Sequence, residues 1–196
     1  MAFIGAKPTN VPLTSADIQD GTVALADLSA TGTKDATTFL RGDNTFAEAG
    51  GGVNTPYFYA TLSSNQTLSN DTNTKIAFNT ASIDSDSAFD TSNNRFVVPS
   101  GKAGKYFIYA QLNSDSGDVE FIETTIAKNG TEVNYIINNP SNSHSNLQTN
   151  IATILDLADS DYVELFTSSS QSSGDATISA SVRGKNTYLL GYKLSE

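Results

Sequence analysis

Residues 95–113, RFVVPSGKAGKYFIYAQLN, constrain the fold more than any other part of the chain. A short apolar strand ends at Pro99, a Gly-containing connection follows, and residues 106–112 then give the longest aromatic β-signal in the sequence. Two β-runs separated by a short Gly-rich connection are typical of a hairpin. We therefore expect these two strands to pair with each other at the centre of an all-β domain.

Further strand signals recur at regular spacing from residue 57 onward. Asn129-Gly130 lies between two β-runs and favours a type I′ hairpin turn, because both residues tolerate positive φ. Ser, Thr, Asn, Asp and Gly are abundant and only 16% of the residues are charged, which favours strands joined by polar turns over a helical bundle. We predict that residues 53–196 form an antiparallel β-sandwich of about ten strands.

Residues 1–52 differ in character from the rest of the sequence. They hold only short apolar clusters, and Pro8 and Pro12 favour an extended path. Such a segment buries too little apolar surface to fold alone, so we expect an extended attachment and assembly arm that becomes ordered against a partner. Gly50-Gly51-Gly52 is typical of a flexible joint to the domain that follows.

Charge and composition exclude several kinds of partner. The formal net charge is −10, and the 11 Lys and Arg residues are scattered along the chain. Nucleic-acid binding needs clustered basic residues that displace phosphate counterions, so we expect no nucleic-acid partner. No window is long and apolar enough to span a bilayer, so we expect no membrane insertion. The lack of Cys excludes a disulfide framework and thiolate metal ligands.

The sequence offers no arrangement that points to catalysis. His144 is the only histidine, and it lies in the Asn- and Ser-rich segment 138–146. A Ser-His-Asp triad needs a base held by a third group in a shaped pocket, so an exposed loop histidine is the favoured interpretation. No phosphate-binding Gly loop and no catalytic carboxylate pair is recognisable. We predict a protein without enzymatic activity.

Residues 83–94 form a predicted acidic loop that contains Asp84, Asp86 and Asp90. Oxygen-rich loops bind Ca²⁺, which makes these three residues weak candidate ligands. The EF-hand pattern is not met, because Gly and Glu are missing at its sixth and twelfth positions. An ordinary solvated acidic loop is the favoured alternative. We therefore predict no metal and no other cofactor, with Ca²⁺ left open.

Two polar loops, residues 138–146 and 168–175, are where binding is expected, because recognition concentrates on loops carried by a rigid scaffold. The candidate ligand-binding residues are the larger hydrogen-bonding side chains His144, Asn146, Gln171 and Asp175. Neither loop has the exposed aromatic side chain that a carbohydrate site generally uses. Soluble loops without a ligand are an equal alternative.

Four landmarks lie in order along residues 57–195: FVVP (96–99) with GKYF (104–107), KNGT (128–131), LDLADSDYV (155–163) and YLLGYKL (188–194). In these landmarks the chain resembles the trimeric jelly roll shared by the globular heads of complement's first component and the tumour-necrosis-factor superfamily. Ser160 departs from the pattern, because that family usually has Gly there. The resemblance implies a homotrimer.

The aromatic strand is consistent with such a trimer. Phe107 and Tyr109 lie on the face opposite Tyr106 and Ile108, so both faces of the strand are apolar. The second sheet covers one face, and neighbouring subunits would cover the other, since aromatic residues are enriched at interfaces. A strand covered by a loop is the alternative. The trimer-interface candidates are Phe107, Tyr109, Tyr188 and Tyr192.

Residues 38–47, TFLRGDNTFA, and the earlier Phe3-Ile4-Gly5 look similar to segments common in tail and appendage proteins of marine bacteriophages. There, such a segment marks the passage from an N-terminal region to a distal domain. The triplet Arg41-Gly42-Asp43 within it favours an ordinary turn over an integrin-binding motif.

The phage resemblance implies a non-enzymatic virion structural protein, a trimeric tail-fibre or appendage tip. Residues 1–52 would attach it to other virion structural proteins, and the jelly roll would contact a host cell-surface glycan or protein. The alternative is a capsid-decorating head fibre or an adaptor without receptor binding. A secreted bacterial adhesion domain is a third interpretation, which the lack of a signal-peptide pattern disfavours.

Overall fold

The computed structural model of the chain describes residues 29–36, 38–48, 54–115, 118–141, 146–182 and 185–195. None of these ranges contains a helix long and apolar enough to cross a membrane. The described elements are β1 (Thr38–Leu40), β2 (Phe46–Glu48), β3 (Tyr57–Thr61), β4 (Gln66–Leu68), β5 (Thr74–Lys75), β6 (Thr80–Asp84), a 3-10 turn (Ser85–Ser87), β7 (Phe89–Asp90), β8 (Arg95–Val97), β9 (Gly104–Asn113), β10 (Val119–Lys128), β11 (Thr131–Asn138), β12 (Gln148–Leu157), β13 (Tyr162–Gln171), β14 (Ala176–Ile178), β15 (Ser181–Val182), β16 (Lys185–Asn186) and β17 (Tyr188–Ser195).

The chain divides into two units, Met1–Gly51 and Gly52–Glu196. In the first unit, β1 and β2 pair antiparallel as a hairpin. Its turn contains the Arg41-Gly42-Asp43 triplet, and the Asp43 carboxylate accepts hydrogen bonds from the hydroxyl and N–H of Thr45 at 2.6 and 3.1 Å. The bond from the hydroxyl, above all, lowers the pKa of Asp43. Part of the predicted extended arm is therefore a hairpin, while the predicted Gly joint lies outside the described residues.

Two large antiparallel sheets and the short pairs β4–β14 and β15–β16 build the second unit. The strand order is β11-β10-β13-β8-β7 in the six-stranded sheet, where β5 also pairs with β13, and β12-β9-β17-β3-β6 in the five-stranded sheet. Strand β9 begins opposite the end of β12, with Gly104 facing Leu157, and ends opposite its start, with Asn113 facing Gln148. We call these the turn end and the loop end of the sandwich. The predicted all-β antiparallel fold is confirmed.

The core lies between the two sheets, because side chains alternate between the inner and outer faces of each strand. On β9, Tyr106, Ile108, Ala110 and Leu112 face inward and are all 0% exposed. Burying an aliphatic side chain of this size contributes roughly 1.5–3 kcal/mol to stability. The inner face of β9 is therefore fully covered by the same chain.

Residues 95–113 do not form the predicted hairpin. Strand β8 pairs with β13 and β7 in one sheet, whereas β9 pairs with β12 and β17 in the other. Pro99 follows β8 and lacks the N–H that would continue a ladder. The Asp159 carboxylate accepts hydrogen bonds from the N–H groups of residues 101–103 at 2.7 to 3.1 Å. These bonds hold the connection at the turn end while it crosses between the sheets.

Two segments that were predicted as loops are partly strand. Residues 83–94 include the end of β6, the 3-10 turn and all of β7. Strand β13 continues to Gln171, so the first half of the predicted loop 168–175 belongs to the six-stranded sheet. Polar residues occupy both segments, and such residues carry a weak strand signal because the apolar alternation is missing.

Candidate functional site

The outer face of the five-stranded sheet carries an aromatic surface that the described residues cover only in part. We call it the face patch and define it by Tyr59, Phe107, Tyr109, Tyr188 and Tyr192. Ring centroids lie 5.0 Å apart for Tyr59 and Tyr188, 5.8 Å for Tyr109 and Tyr188, and 5.5 Å for Phe107 and Tyr192. Aromatic pairs at such distances add to the stability gained from area burial alone.

Strand register brings these rings together. Phe107 faces Tyr192 directly across the ladder between β9 and β17, and Tyr109 faces Leu190 in the same ladder. Neighbouring strands lie about 4.8 Å apart, so outward-facing side chains in register must touch. The face patch is thus a consequence of period-2 alternation on three adjacent strands.

Tyr188 lies at the centre of the face patch. Burial, with a further contribution from Tyr109 and Tyr59, raises the pKa of Tyr188 to about 12. The phenol is therefore neutral at physiological pH, and the patch presents rings and hydroxyl groups without a charge at this position. Such a surface suits a partner that is largely apolar.

All four predicted trimer-interface residues, Phe107, Tyr109, Tyr188 and Tyr192, lie on the face patch. Tyr59 was not among the predicted interface residues, although its spacing of two from Tyr57 places both rings on the same face of a strand. That these residues contact another subunit stays a prediction at this point.

A second apolar surface lies at the β11–β12 edge of the sandwich. We call it the edge patch and define it by Val133, Ile136 and Ile154, which are 43%, 40% and 61% exposed. Ile154 faces Phe107 across the β9–β12 ladder, so the edge patch adjoins the face patch. The two patches have different shapes, one being the flat face of a sheet and the other a sandwich edge.

The candidate ligand-binding residues are placed differently from one another. Asn146 is exposed and has a φ of +63°, whereas Gln171 is only 6% exposed at the end of β13. The Asn70 side-chain oxygen accepts a hydrogen bond from the Gln171 N–H at 2.7 Å, and Asp175 accepts one from the Asn70 N–H at 3.3 Å. Gln171 and Asp175 thus hold the segment around Asn70, and His144 lies outside the described residues.

The three acidic candidates for Ca²⁺ each have different partners. Asp84 accepts hydrogen bonds from the N–H groups of residues 88 and 89, and Asp90 accepts them from residues 92 and 93. Asp86 lies 3.7 Å from the Lys102 ammonium. Among the residues that the structure describes, no group of three His, Cys, Asp or Glu side chains is arranged to hold a metal ion. Calcium binding stays an untested prediction.

The strand order and the two-layer antiparallel core define a jelly-roll domain. A model of the C1q domain family matches residues 57–187, so the chain belongs to the C1q domain family.

Solved structures agree with this fold. The globular domain of zebrafish complement 1qA protein is 12% identical with a TM-score of 0.52, covering 72% of this chain and 98% of its own. Murine APRIL in a pH 5.0 crystal is 14% identical with a TM-score of 0.54, covering 70% and 98%. At these identities the likeness shows the fold alone. A comparison with curated protein sequences gives no match. The predicted resemblance to the complement-head jelly roll is thereby confirmed.

Two landmarks of that resemblance have a structural reason. Ser160 adopts a φ of +68°, a left-handed conformation that Gly reaches without steric cost. Gly191 lies on the inner face of β17, where an added Cβ would lie 2.7 Å from Ile108 Cδ1 and 2.8 Å from Phe58 Cε1. The Gly in the closing landmark is therefore required by packing, and the Gly usual at position 160 by backbone conformation.

Proposed function

We propose that this protein is a homotrimeric, non-enzymatic structural component of a virion, forming the tip of a tail fibre or another appendage. The C1q-family domain is the trimerising part, and residues 1–52 attach it to other virion structural proteins. Its localisation is the virion, where the domain contacts the host surface. The observation that carries the assembly is the face patch, an aromatic surface that the described residues of one chain cover only in part.

The two apolar patches support a closed ring of subunits. The face patch is flat and the edge patch is the edge of the sandwich, so neither patch is complementary to itself. The two patches therefore favour a heterologous contact, in which different surfaces of two subunits meet, over a two-fold symmetric one. We infer that the edge patch of one subunit packs against the face patch of the next. Repeating this contact around a three-fold axis covers both patches on every subunit. Membership of the C1q family supports three as the number of subunits.

The virion role draws support from the first unit. The segment 38–47 resembles the passage segments of phage appendage proteins, and it forms the β1–β2 hairpin. Phe39 and Leu40 in this hairpin are 47% and 44% exposed. Successive strand residues point to opposite faces, so each face of the hairpin presents an apolar side chain for docking. An isolated two-stranded hairpin is only marginally stable, which favours a partner for it.

A measurement of mass in solution tests the trimer. The full chain of 20.7 kDa should scatter light as a particle of about three times that mass. Tyr192→Asp places a charge in the face patch and should give single chains, because an unpaired charge in a buried contact costs several kcal/mol. Tyr135→Asp changes a ring that is 62% exposed outside both patches and should leave the trimer intact. A single-chain mass for the unaltered protein would refute the assembly.

Imaging of intact particles tests the location. Antibody-labelled cryo-electron microscopy should place the protein at a tail or appendage tip. Density spread over the capsid surface would instead support the alternative, a capsid-decorating head fibre or an adaptor without receptor binding. Purified particles that lack the protein would overturn both versions of the virion role.

A further inference from the structure

A groove lies at the loop end of the sandwich, between strands β11 and β12. Its volume is about 270 Å³, and we call it the amide groove. None of its amides was among the candidate ligand-binding residues of the sequence analysis. Its lining includes Ile136, Ile137, Asn138, Asn139, Gln148 and Asn150.

The floor of the amide groove is fixed by hydrogen bonds. Asn138 donates from its side chain to the Gln148 carbonyl oxygen at 3.3 Å, and Gln148 donates to the Asn113 side-chain oxygen at 2.9 Å. Thr149, which also lines the groove, is held to Thr124 across the core by a hydroxyl pair 2.6 Å apart. A floor held in this way is preorganised, so a ligand would not have to order it on binding.

Two further amides in the groove are available to a ligand. Asn139 and Asn150 are exposed, and neither side-chain amide has a hydrogen-bond partner among the residues that the structure describes, although the Asn150 backbone belongs to the β9–β12 ladder. Each amide offers two donors and one acceptor oxygen without carrying a charge. This combination matches the hydroxyl group, which is itself both a donor and an acceptor.

An apolar wall adjoins these amides. Ile137 is 49% exposed, and Tyr135, two residues earlier on the same face of β11, is 62% exposed. The two side chains are about 7 Å apart along the strand, which places the tyrosine ring beside the groove. Tyr135 supplies the exposed aromatic ring that a carbohydrate site generally uses. It was not predicted, because it lies on a strand and not in either polar loop.

The charges of the lining narrow the class of ligand. The lining residues include no Lys, Arg or His, so nothing there balances a phosphate or a carboxylate, and they include no Asp or Glu for a cation. A neutral, hydroxyl-rich ligand with one apolar face fits both the amides and the tyrosine ring. We propose that the amide groove binds a neutral oligosaccharide, with Asn139 and Asn150 on its hydroxyl groups and Tyr135 stacked on a sugar ring.

This inference rests on the proposed function, in which host-surface glycans meet the protein. A trimer presents three amide grooves, so weak single-site binding becomes firm attachment to a surface that carries many copies of the sugar. The edge patch shares Ile136 with the groove, whereas Asn139, Asn150 and Tyr135 are not among the residues that define either patch.

An array of immobilised, defined oligosaccharides tests the inference with the full chain. We expect binding to a subset of neutral glycans. On the best of these, measured by calorimetry with the soluble oligosaccharide, Asn150→Ala should weaken affinity about tenfold through lost hydrogen bonds. Tyr135→Ala should weaken it by at least as much, whereas Tyr135→Phe keeps the ring and should retain most of the affinity.

Matched controls separate this test from the test of the trimer. Asn54→Ala removes an exposed amide at the turn end and should leave glycan binding unchanged. Each variant is also weighed by light scattering, so loss of the trimer is seen independently of loss of sugar binding. A wild-type trimer that binds no neutral glycan on the array would overturn the groove assignment alone. Glycan binding that survives both Asn150→Ala and Tyr135→Ala would overturn it equally.

Discussion

The interior of the sandwich is built differently at its two ends. At the turn end, Phe58, Phe89, Phe96 and Tyr106 form one ring cluster, in which Phe96 lies 4.6 Å from Phe58 and 5.4 Å from Tyr106 by ring centroids. At the loop end, hydroxyl and amide groups share the interior with aliphatic side chains. The residues buried there to 6% exposure or less include Asn113, Ser114, Thr149, Thr167, Ser169, Gln171, Ser179 and Thr187.

The two ends of the sandwich differ in the interactions that stabilise them. The turn end is stabilised mainly by burial of large apolar surface, which is tolerant of small shifts. The loop end depends on hydrogen bonds such as that from Thr167 to the Glu123 carbonyl oxygen at 2.5 Å. Two of the three buried side-chain atoms without a hydrogen-bond partner among the described residues, Ser114 Oγ and Gln171 Nε2, lie at this end, and the third is Arg95 Nε. An unpaired buried group costs about 1–3 kcal/mol, so the loop end should open first.

The largest expected effect is at the turn end. Phe96 is 0% exposed and stacks on Phe58 with an interplanar angle of 15°. Phe96→Ala should lower the free energy of unfolding by about 3–5 kcal/mol, because it removes a ring and leaves a cavity between the sheets. Chemical denaturation monitored by circular dichroism measures this loss at a fixed chain concentration.

A second phenylalanine at the loop end provides the control. Phe121 is half-buried on β10, where Ile122 instead points into the core. Phe121→Ala should cost clearly less than Phe96→Ala, since solvent already reaches part of the ring. Equal losses for the two variants would mean that the aromatic cluster is not what stabilises the turn end.

Strand β13 shows why the sequence predicts one end better than the other. Its inner face starts with Val163 and Leu165, which predict a strand, and continues with Thr167, Ser169 and Gln171. The second half carries no apolar alternation, so it was predicted as a loop. Its hydroxyl groups bond to carbonyl oxygens of β10, as Ser169 does to Phe121 at 3.1 Å. Only the fold places those acceptors within reach.

The candidate site divides in the same way. The face patch could be predicted, because aromatic residues at period-2 spacing on strands mark an apolar outer face wherever the inner face is also apolar. The amide groove could not be predicted, because its existence depends on how closely β11 and β12 approach. Their approach is fixed by hydrogen bonds such as that from Asn134 to the Ala152 carbonyl oxygen at 3.3 Å. Residues 139–147 separate β11 from β12 in the sequence, and they do not say how closely the two strands approach.

The next effect concerns the polar interior of the loop end. Thr124 and Thr149 join the two sheets through hydroxyl groups 2.6 Å apart, and they are 0% and 3% exposed. Thr149→Val keeps the shape but leaves the Thr124 hydroxyl unpaired, so it should cost about 1–3 kcal/mol. The double variant with Thr124→Val removes both polar groups and should recover most of that loss. A double-mutant cycle by denaturation measures the coupling, and simple additivity of the two losses would contradict it.

A smaller effect is expected from Asp161 at the turn end. Hydrogen bonds from the Lys128 ammonium and then from the Asn129 amide lower its pKa from 3.8 to about 2. Because the folded pKa is depressed, the stabilisation is present above about pH 4 and is lost as pH falls toward 2. Asp161→Asn should therefore cost about 1 kcal/mol at pH 7, since solvent screens part of the pair, and nothing below pH 2.

The pH dependence separates Asp161 from an ordinary surface charge. Asp156 pairs with Lys105 at 2.8 Å, but its side chain is 76% exposed. Asp156→Asn should change stability by less than Asp161→Asn at pH 7. Unfolding curves collected from pH 7 to pH 2 give both differences. A gap between Asp161→Asn and the wild type that stays constant over this range would show that the carboxylate charge is not the cause.

The smallest expected effect is a gain in stability at Ser160, also at the turn end. Its φ of +68° costs a residue with a side chain about 1 kcal/mol, and Gly adopts this conformation without strain. Ser160→Gly should therefore stabilise the protein by about 0.5 kcal/mol and raise Tm by one to two degrees, roughly, at a fixed chain concentration. Ser100→Gly, at an exposed turn position without positive φ, should instead be neutral or destabilising. If both variants lowered Tm, the backbone at position 160 would not be strained. The stability of the turn end would then come from the ring cluster and from the hydrogen bonds of the Asp159 and Asp161 carboxylates alone.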